Sequence, residues 1–481
     1  MDITMLIDGA EVQSSGRGFF ERRNPVTGEV ATRAPAGGRA DVDRAVEAAA
    51  LAFPGWAATG PNARRAILAK AADALEARTE EFIATAMAET GATAPWIGFN
   101  VMFAAMLLRE AAALTTQVGG EVIPSDKPGT LAMALREPVG VVVGMAPWNA
   151  PVILGTRAVA TPLACGNAVV LKASELCPAT HRMIVETINA AGLPKGVLNV
   201  VTHAAEDAPE VVSALIAHPK VRRINFTGST GVGRIIAEEA GRHLKPVLLE
   251  LGGKAPLVVL DDADLDGAVN ATVFGAFMNQ GQICMSTEKV VVDAKLADDF
   301  VRRLGERAAA LPYGDPSGHV VLGALVSRNA VEHVAALVAD ALDKGATLVT
   351  GGATDTTIMP ATVVDRVTPE MRIYSEESFG PVVAVVRVDG VEQAIAAAND
   401  GDYGLAAAVF GRDVQRALAV ARRIESGIVH VNGPTVQDEA QMPFGGVKGS
   451  GYGRFGGKAG IEAFTHLRWV SIEDARQPYP F

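Results

Sequence analysis

Five short apolar runs follow one another with helical stretches between them: VGVVVGMAP (139–147), NAVVLKAS (167–174), VLNVVT (197–202), RINFTGST (223–230) and PVLLELGG (246–253). The helical periodicities fall at 152–164, 178–191, 207–217 and 231–240. Strands this short and this apolar, alternating with helices, form a parallel sheet covered on both faces. A second series starts near Lys254: strands APLVVL and KVVVDA around a helix at 263–279, helices at 297–309 and 328–344, then TLVTGG, PVVAVVRV, helices at 391–398 and 413–424, and IVHVNGP. The expected fold is α/β, with two doubly wound, Rossmann-like parallel sheets. A chain of 481 residues is too long for one compact core, which fits two or three domains.

The flanking segments read differently. Residues 1–35 are short strands and turns, MLIDG and then NPVTGEV. Asp41 is placed to cap a helix, and an Ala-rich helical stretch from Pro61 to Gln117 is broken at Gly91 and Pro95. In residues 121–142, two extended segments flank a polar Pro/Gly turn, a β-hairpin arm. The tail LRWVSIED reads as a last strand.

Composition removes several classes of function. The net charge is −11, whereas nucleic acid or an anionic membrane calls for a basic surface. Three cysteines, Cys165, Cys177 and Cys284, form neither a disulfide framework nor a zinc motif, and fit a reducing cytoplasm. MDITMLIDGAEV is not a signal peptide. No stretch approaches the ~18 uninterrupted apolar residues of a membrane span.

Seven loops break the pattern where strands end: PWNAP (147–151), LKASE (171–175), FTGSTGVG (226–233), ELGGK (250–254), GQICMS (281–286), EESFGP (376–381) and PFGGVKGSG (443–451). Ends of this kind are where α/β proteins keep their sites. The glycines of FTGSTGVG open a helix after a strand, which favours a phosphate, although the spacing is not the usual dinucleotide fingerprint and a plain strand–helix turn fits equally well. Lys172 can donate to ribose hydroxyls and Glu175 can accept from them, or both can be solvated surface. A carboxylate at 175 would repel a 2′-phosphate, favouring NAD over NADP. Glu250, before two glycines, suits a base that must reach a water, or is a turn glutamate. Asn149 between prolines is a fixed amide donor, or a structural turn. Cys284 alone is better read as packing. Together, a cysteine, a carboxylate, a fixed amide and a phosphate loop describe oxidation of a carbonyl through a thioester. None of the motifs holds a histidine, which counts against a Cys–His hydrolase.

With these motifs assembled, the chain resembles the aldehyde dehydrogenase superfamily over nearly its whole length. The motifs occur in the family's order, and the Glu250-to-Cys284 interval (284 − 250 = 34) matches the family's separation. The resemblance implies an NAD-binding domain (1–120 and 143–252), a catalytic domain (253–449), and bridging segments (121–142 and 450–481) that form a small antiparallel sheet between subunits of a homodimer or homotetramer. It implies Cys284 as nucleophile, Glu250 as general base, and Asn149 with the Cys284 N–H as oxyanion hole. It assigns Lys172 and Glu175 to the adenosine ribose, Ser229 with Gly228 and Gly233 to the pyrophosphate loop, and Trp148 and Leu251 to the cofactor path. Glu377 would meet the nicotinamide ribose and Phe379 the ring. The cofactor is NAD, the substrate a small aldehyde, and no metal is required.

Two departures stand out. Where many relatives have an aromatic residue followed by lysine, this chain has Arg157-Ala158, so a proton relay through that lysine is in doubt. The spaced glycines that often follow NVV are replaced by THAAEDAP. Arg157, ICMSTE and GPTVQDEAQMPFGG resemble the aromatic-aldehyde branch of salicylaldehyde, vanillin and benzaldehyde dehydrogenases. Arg157 either meets polar groups of the substrate or forms a helix salt bridge. Trp96 is either a pocket wall or core packing, and Met285 and Ser286 are further candidate walls. The alternatives are a general or aliphatic aldehyde dehydrogenase, a silent structural relative, and a cofactor-free thiol esterase.

Overall fold

A computed structural model describes residues 1–16, 18–473, 479 and 481; the end of the expected bridging segment, at 474–478 and 480, lies outside the described residues. The first series of strands forms an eight-stranded sheet in the order Gly451–Tyr452, Val247–Glu250, Val221–Thr227, Val141–Met145, Ala168–Lys172, Leu198–Val201, Met5–Ile7, Ala10–Val12. Its five central strands are parallel, and the outer ones are antiparallel. The strand order reverses between Val141–Met145 and Val221–Thr227, which opens a crevice beyond their carboxyl ends.

The second series forms a seven-stranded sheet in the order Thr347–Thr350, Thr362–Asp365, Val382–Val388, Thr287–Asp293, Ala255–Val259, Ala406–Phe410, Ile428–Val431. All its pairs are parallel except the first. Two of these strands, Thr362–Asp365 and Ala406–Phe410, are missing from the sequence reading. The first has only four residues, and the second, AAAVF, has alanines where a strand signal needs β-branched residues.

Thr465–Ile472, Leu131–Pro138 and Gly120–Ile123 make a three-stranded antiparallel sheet, with Trp469 opposite Ala134. The hairpin arm therefore ends at Pro138, and Val141 already belongs to the large sheet. NPVTGEV is not a strand up to Glu29. Asn24 Oδ1 accepts from the N–H groups of Val26 and Thr27, and this turn joins strands Phe19–Arg23 and Val30–Pro35.

The Ala-rich region is three helices, Pro61–Ala77, Thr79–Thr90 and Ala94–Leu114, with an extra break at Arg78. Pro95 sits in the first turn of the third helix, where its missing N–H costs nothing, so it starts that helix. Ala94–Leu114 is long and apolar enough on average to cross a membrane, but Asn100, Arg109 and Glu110 interrupt it, and it packs against Pro61–Ala77 and Pro151–Ala164 with Ile97, Val101, Phe103 and Leu108 in the core.

One buried carboxylate ties this helical layer to the sheet. Glu89, fully enclosed, accepts from Thr32 Oγ1 and Thr180 Oγ1 and from the N–H groups of Ala179 and Thr180 at the start of helix Pro178–Ala190. That helix follows the LKASE loop, so Glu89 also anchors the Lys172 end of the cleft. Glu89→Ala leaves these donors without an acceptor, at about 1–3 kcal/mol for each buried unpaired group. The expected result is a lower thermal midpoint at fixed scan rate; an unchanged midpoint refutes the anchoring role.

Candidate active site

The cysteine segment is built on unusual backbone. After helix Leu265–Phe277, Asn279 (φ 48°), Gln280 (φ 56°) and Gly281 (φ 68°) are successively left-handed. For non-glycine residues this costs energy and persists only when neighbours fix it. The amide-rich run does the fixing. Asn279 Nδ2 donates to Asn149 O (2.9 Å), Gln280 Nε2 to Ala324 O (3.2 Å), and Gln282 Oε1 accepts from Val326 N (3.0 Å). A side chain at Gly281 would meet the Gly380 carbonyl at 2.1 Å, and one at Gly253 would meet the Cys284 carbonyl at 2.3 Å. Glycine at both places lets the ELGGK, GQICMS and EESFGP loops close on one another.

Cys284 keeps part of its surface open, and its thiol lines the same cleft as Glu250. Burial pushes Glu250 up to about 7, opposed by the Arg157 charge and the contact with Cys284. Burial, then the Glu250 charge, holds the Cys284 thiol well above its ordinary value. Glu250 Oε1 has no hydrogen-bond partner among the described residues. Asn149 sits in the turn before helix Pro151–Ala164, and its Nδ2 donates to Gln282 O (3.0 Å). An amide NH₂ has two donors, so one remains for a substrate oxygen. The Asn149 carbonyl is held by Asn279 Nδ2 and by Trp96 Nε1 (3.0 Å).

A cleft of about 340 Å³ joins this group to Trp148, Gly228, Ser229, Leu251, Glu377 and Phe379. It lies between the carboxyl ends of the first sheet and the amino ends of the second. GQICMS and EESFGP precede strands Thr287–Asp293 and Val382–Val388 and do not end strands, which corrects the expected placement. Phe379 meets Trp148 edge-on, with ring centroids 5.8 Å apart. Gly253 N donates to Glu377 Oε1 (2.8 Å), and burial, then the Glu288 charge, pushes Glu377 up to about 8. A Cβ at Gly228 would lie 2.4 Å from the Phe226 ring, so only glycine opens the turn into helix Thr230–Arg242, whose N-cap is Ser229. This helix start and the depth of the cleft suit a dinucleotide.

The family model described as "Aldehyde dehydrogenase family" matches residues 12–470. The chain belongs to the aldehyde dehydrogenase family. It is 60% identical over 481 residues to the vanillin dehydrogenase of Pseudomonas fluorescens, covering 100% of each chain. It is 50% identical over 483 residues to the salicylaldehyde dehydrogenase of Pseudomonas putida, again covering 100% of each. The crystal structure of the salicylaldehyde dehydrogenase from Pseudomonas putida G7 complexed with salicylaldehyde superposes with a TM-score of 0.99 at 51% identity, covering 100% of both chains. Members of the family use a nicotinamide dinucleotide, NAD or NADP.

The remaining expected site residues do not line this aldehyde dehydrogenase cleft themselves; Trp96 and Arg157 line two other cavities. Lys172 is buried, donating to Ala173 O and paired with His203 Nε2 at 2.7 Å; Glu175 follows in the same turn. Gly233 packs under Leu251, where a Cβ would lie 2.4 Å from Leu251 Cδ2, and its N–H bonds Ser229 O inside the helix. That N–H is therefore committed within the helix. Trp96 stacks on Phe99 and holds Asn149. Met285 is buried in the same apolar cluster as Trp96 and Leu154. Ser286 is corrected as a polar wall: it is buried, with its hydroxyl donating to Gly281 O (3.0 Å). Arg157 is buried, ion-paired with Asp438 and stacked 4.4 Å over Phe444. The salt bridge that one reading of this helix residue gave is therefore present, and it is buried.

Sequence reasoning missed Asn279, Asp438, Lys254, Glu288 and His203. The motifs NQGQ, THAAEDAP, ELGGK, ICMSTE and GPTVQDEAQMPFGG contain them, but no role was assigned to any of the five. Trp96→Phe keeps the ring and removes one of the two donors on the Asn149 carbonyl. The expected result is a fall in kcat of about fivefold, the rate equivalent of one hydrogen bond of about 1 kcal/mol, with the dinucleotide KM unchanged. An unchanged kcat refutes this positioning role.

Proposed function

We propose that the protein oxidises an aromatic aldehyde of the salicylaldehyde, vanillin or benzaldehyde type to its carboxylic acid with NAD. The observation that carries this reading is the Cys284 thiol beside the Glu250 carboxylate, with the Asn149 amide held at the same point of the cleft.

Glu250, near neutrality, takes the proton from the Cys284 thiol, and the thiolate attacks the aldehyde carbon. The free N–H of the Asn149 amide and the Cys284 backbone N–H hold the developing oxyanion. Ser229, Glu377 and Phe379 would hold a nicotinamide dinucleotide beside that carbon, where it would supply the hydride acceptor; the carbon, losing hydride, is left as a thioester on Cys284. Glu250 then gives that proton up to solvent and, with Oε1 unoccupied by protein, takes a proton from water. The hydroxide adds to the acyl carbon, the Cys284 thiolate leaves, and the acid is released.

The aromatic preference is supported by the vanillin and salicylaldehyde relatives and by the apolar cluster that Trp96 and Met285 share with Leu154. Arg157 uses one N–H on Asp438 and retains donors for polar groups of substrate or intermediate. NAD is favoured over NADP by Glu175, whose charge opposes a 2′-phosphate. All three cysteines are free thiols, which suits the cytoplasm. The small sheet presents Trp469 (81% exposed), Leu467 and Val122 to solvent, a surface suited to pairing in a homodimer or homotetramer.

Four results test this reading. NADH release should be faster with ring-hydroxylated aromatic aldehydes than with straight-chain ones, and faster with NAD than with NADP; the reverse order refutes the specificity. Because Glu250 must lose its proton to act, kcat/KM should rise with pH through about 7, and Glu250→Gln should abolish that limb. Cys284→Ala should abolish turnover and keep NAD binding, and retained turnover defeats the mechanism. Equal kcat/KM for aromatic and aliphatic aldehydes in Arg157→Ala and the parent removes Arg157 from the pocket.

A further inference from the structure

Three loops meet at the cleft, and between them lies an ion pair that the chemistry above does not use. Lys254 Nζ and Glu288 Oε2 are 2.7 Å apart, with side chains only 4% and 3% exposed. Lys254 stands four residues after Glu250 and Glu288 four residues after Cys284, at the start of the adjacent parallel strands where Ala255 pairs with Thr287. The pair therefore joins the base segment to the nucleophile segment.

The same carboxylate reaches the third loop. Glu288 Oε2 accepts from Ser378 N (2.7 Å) and Glu288 Oε1 from Phe379 N (3.1 Å), while Lys254 also donates to Ser378 Oγ (3.1 Å). Phe379 is left-handed (φ 48°), a conformation an aromatic residue holds only under constraint. Its neighbour Glu377 is fixed by Gly253 N, immediately before Lys254. Every polar atom of the pair that bonds beyond the pair bonds to Ser378 or Phe379.

Stability alone does not account for these charges. A buried ion pair can be replaced by apolar residues of similar volume at little or no loss of stability, whereas breaking one partner is costly. An apolar pair could fill this space, but it could not hold two backbone N–H groups in a strained turn.

We propose that Lys254 and Glu288 are positioning residues that set the Glu377–Phe379 turn, and through it the nicotinamide half of the cofactor, against Cys284. The proposal rests on the reading of Glu377 and Phe379 as cofactor contacts. In the pair's absence the turn relaxes out of the left-handed conformation, Phe379 leaves Trp148, and the ring is no longer held over the reacting carbon. The aldehyde subsite, built on Asn149 and Trp96, is unaffected.

The test uses the full-length enzyme and two variants, Glu288→Gln, which keeps the shape and removes the charge, and Lys254→Met/Glu288→Leu, which replaces the pair with apolar side chains. In cofactor-free protein, amide hydrogen exchange of a peptide containing Ser378 and Phe379 should accelerate in both. NADH binding, read by NADH fluorescence, should weaken by about tenfold, equivalent to about 1.4 kcal/mol. Turnover should show a lower kcat and a higher KM for NAD, with the aldehyde KM within twofold of the parent. The double variant is expected to keep its thermal midpoint; if it fails to fold, Glu288→Gln alone carries the test. Parent-like exchange, NADH affinity and kcat in a folded variant overturn the proposal and leave the cofactor reading standing. A parent that binds no NADH overturns the cofactor reading, and the proposal with it.

Discussion

The Cys284 carbonyl rests where a side chain on Gly253 would otherwise be, and the Gly380 carbonyl rests in the same way against Gly281. These two contacts bring backbone from three strand ends to within van der Waals distance, and the chemistry of the cleft depends on that closeness. A methyl group at either position would push the nucleophile loop away from Glu250 or from the Glu377 turn. The left-handed residues Asn279 and Gln280 follow from the same constraint, since the chain must turn sharply out of its helix to present Cys284. Their side-chain amides hold the turn and also reach across to Asn149, so the oxyanion donor and the nucleophile are positioned by one network.

The two large sheets contribute opposite ends to the cleft. The first offers the carboxyl ends of its strands at the point where their order reverses, with a helix N-terminus suited to phosphate. The second offers the amino ends of its strands, which carry Cys284 and Glu377. Enclosure between the sheets raises Glu250 to about 7 and Glu377 to about 8, so the interior accepts protons more readily than exposed carboxylates do. The Glu250 value suits its proposed role as a base near neutrality.

Much of this was legible in the sequence because it depends on local pattern. Alternating strands and helices follow from short-range periodicity, and Cys284, Glu250 and Asn149 stand out because each breaks a strand pattern with a chemically distinct residue. What was not legible depends on long-range pairing. Lys254 and Glu288 look like ordinary charged residues beside strands until the fold buries them together. Asp438 is one acid in the polar run VQDEAQ until Arg157, 281 positions away, comes to it. Strand Ala406–Phe410 is set by its neighbours in the sheet, since its alanines carry little strand preference of their own. The contact of Gly233 with Leu251 was likewise not legible, since only the fold brings Leu251 beneath it.

The central claim is that Cys284 carries the acyl group and Glu250 is needed to release it. In Glu250→Ala the thiol proton passes more slowly to solvent and no base releases the acyl group, so long incubation with NAD and an aromatic aldehyde, then acid quench and digestion, gives peptides whose mass reports the acyl group directly. The account predicts that the peptide containing Cys284 gains the mass of the aroyl group, with about one equivalent of NADH formed per site. An unmodified Cys284 peptide after a full equivalent of NADH has formed, or the acyl group on Cys165 or Cys177, would contradict it.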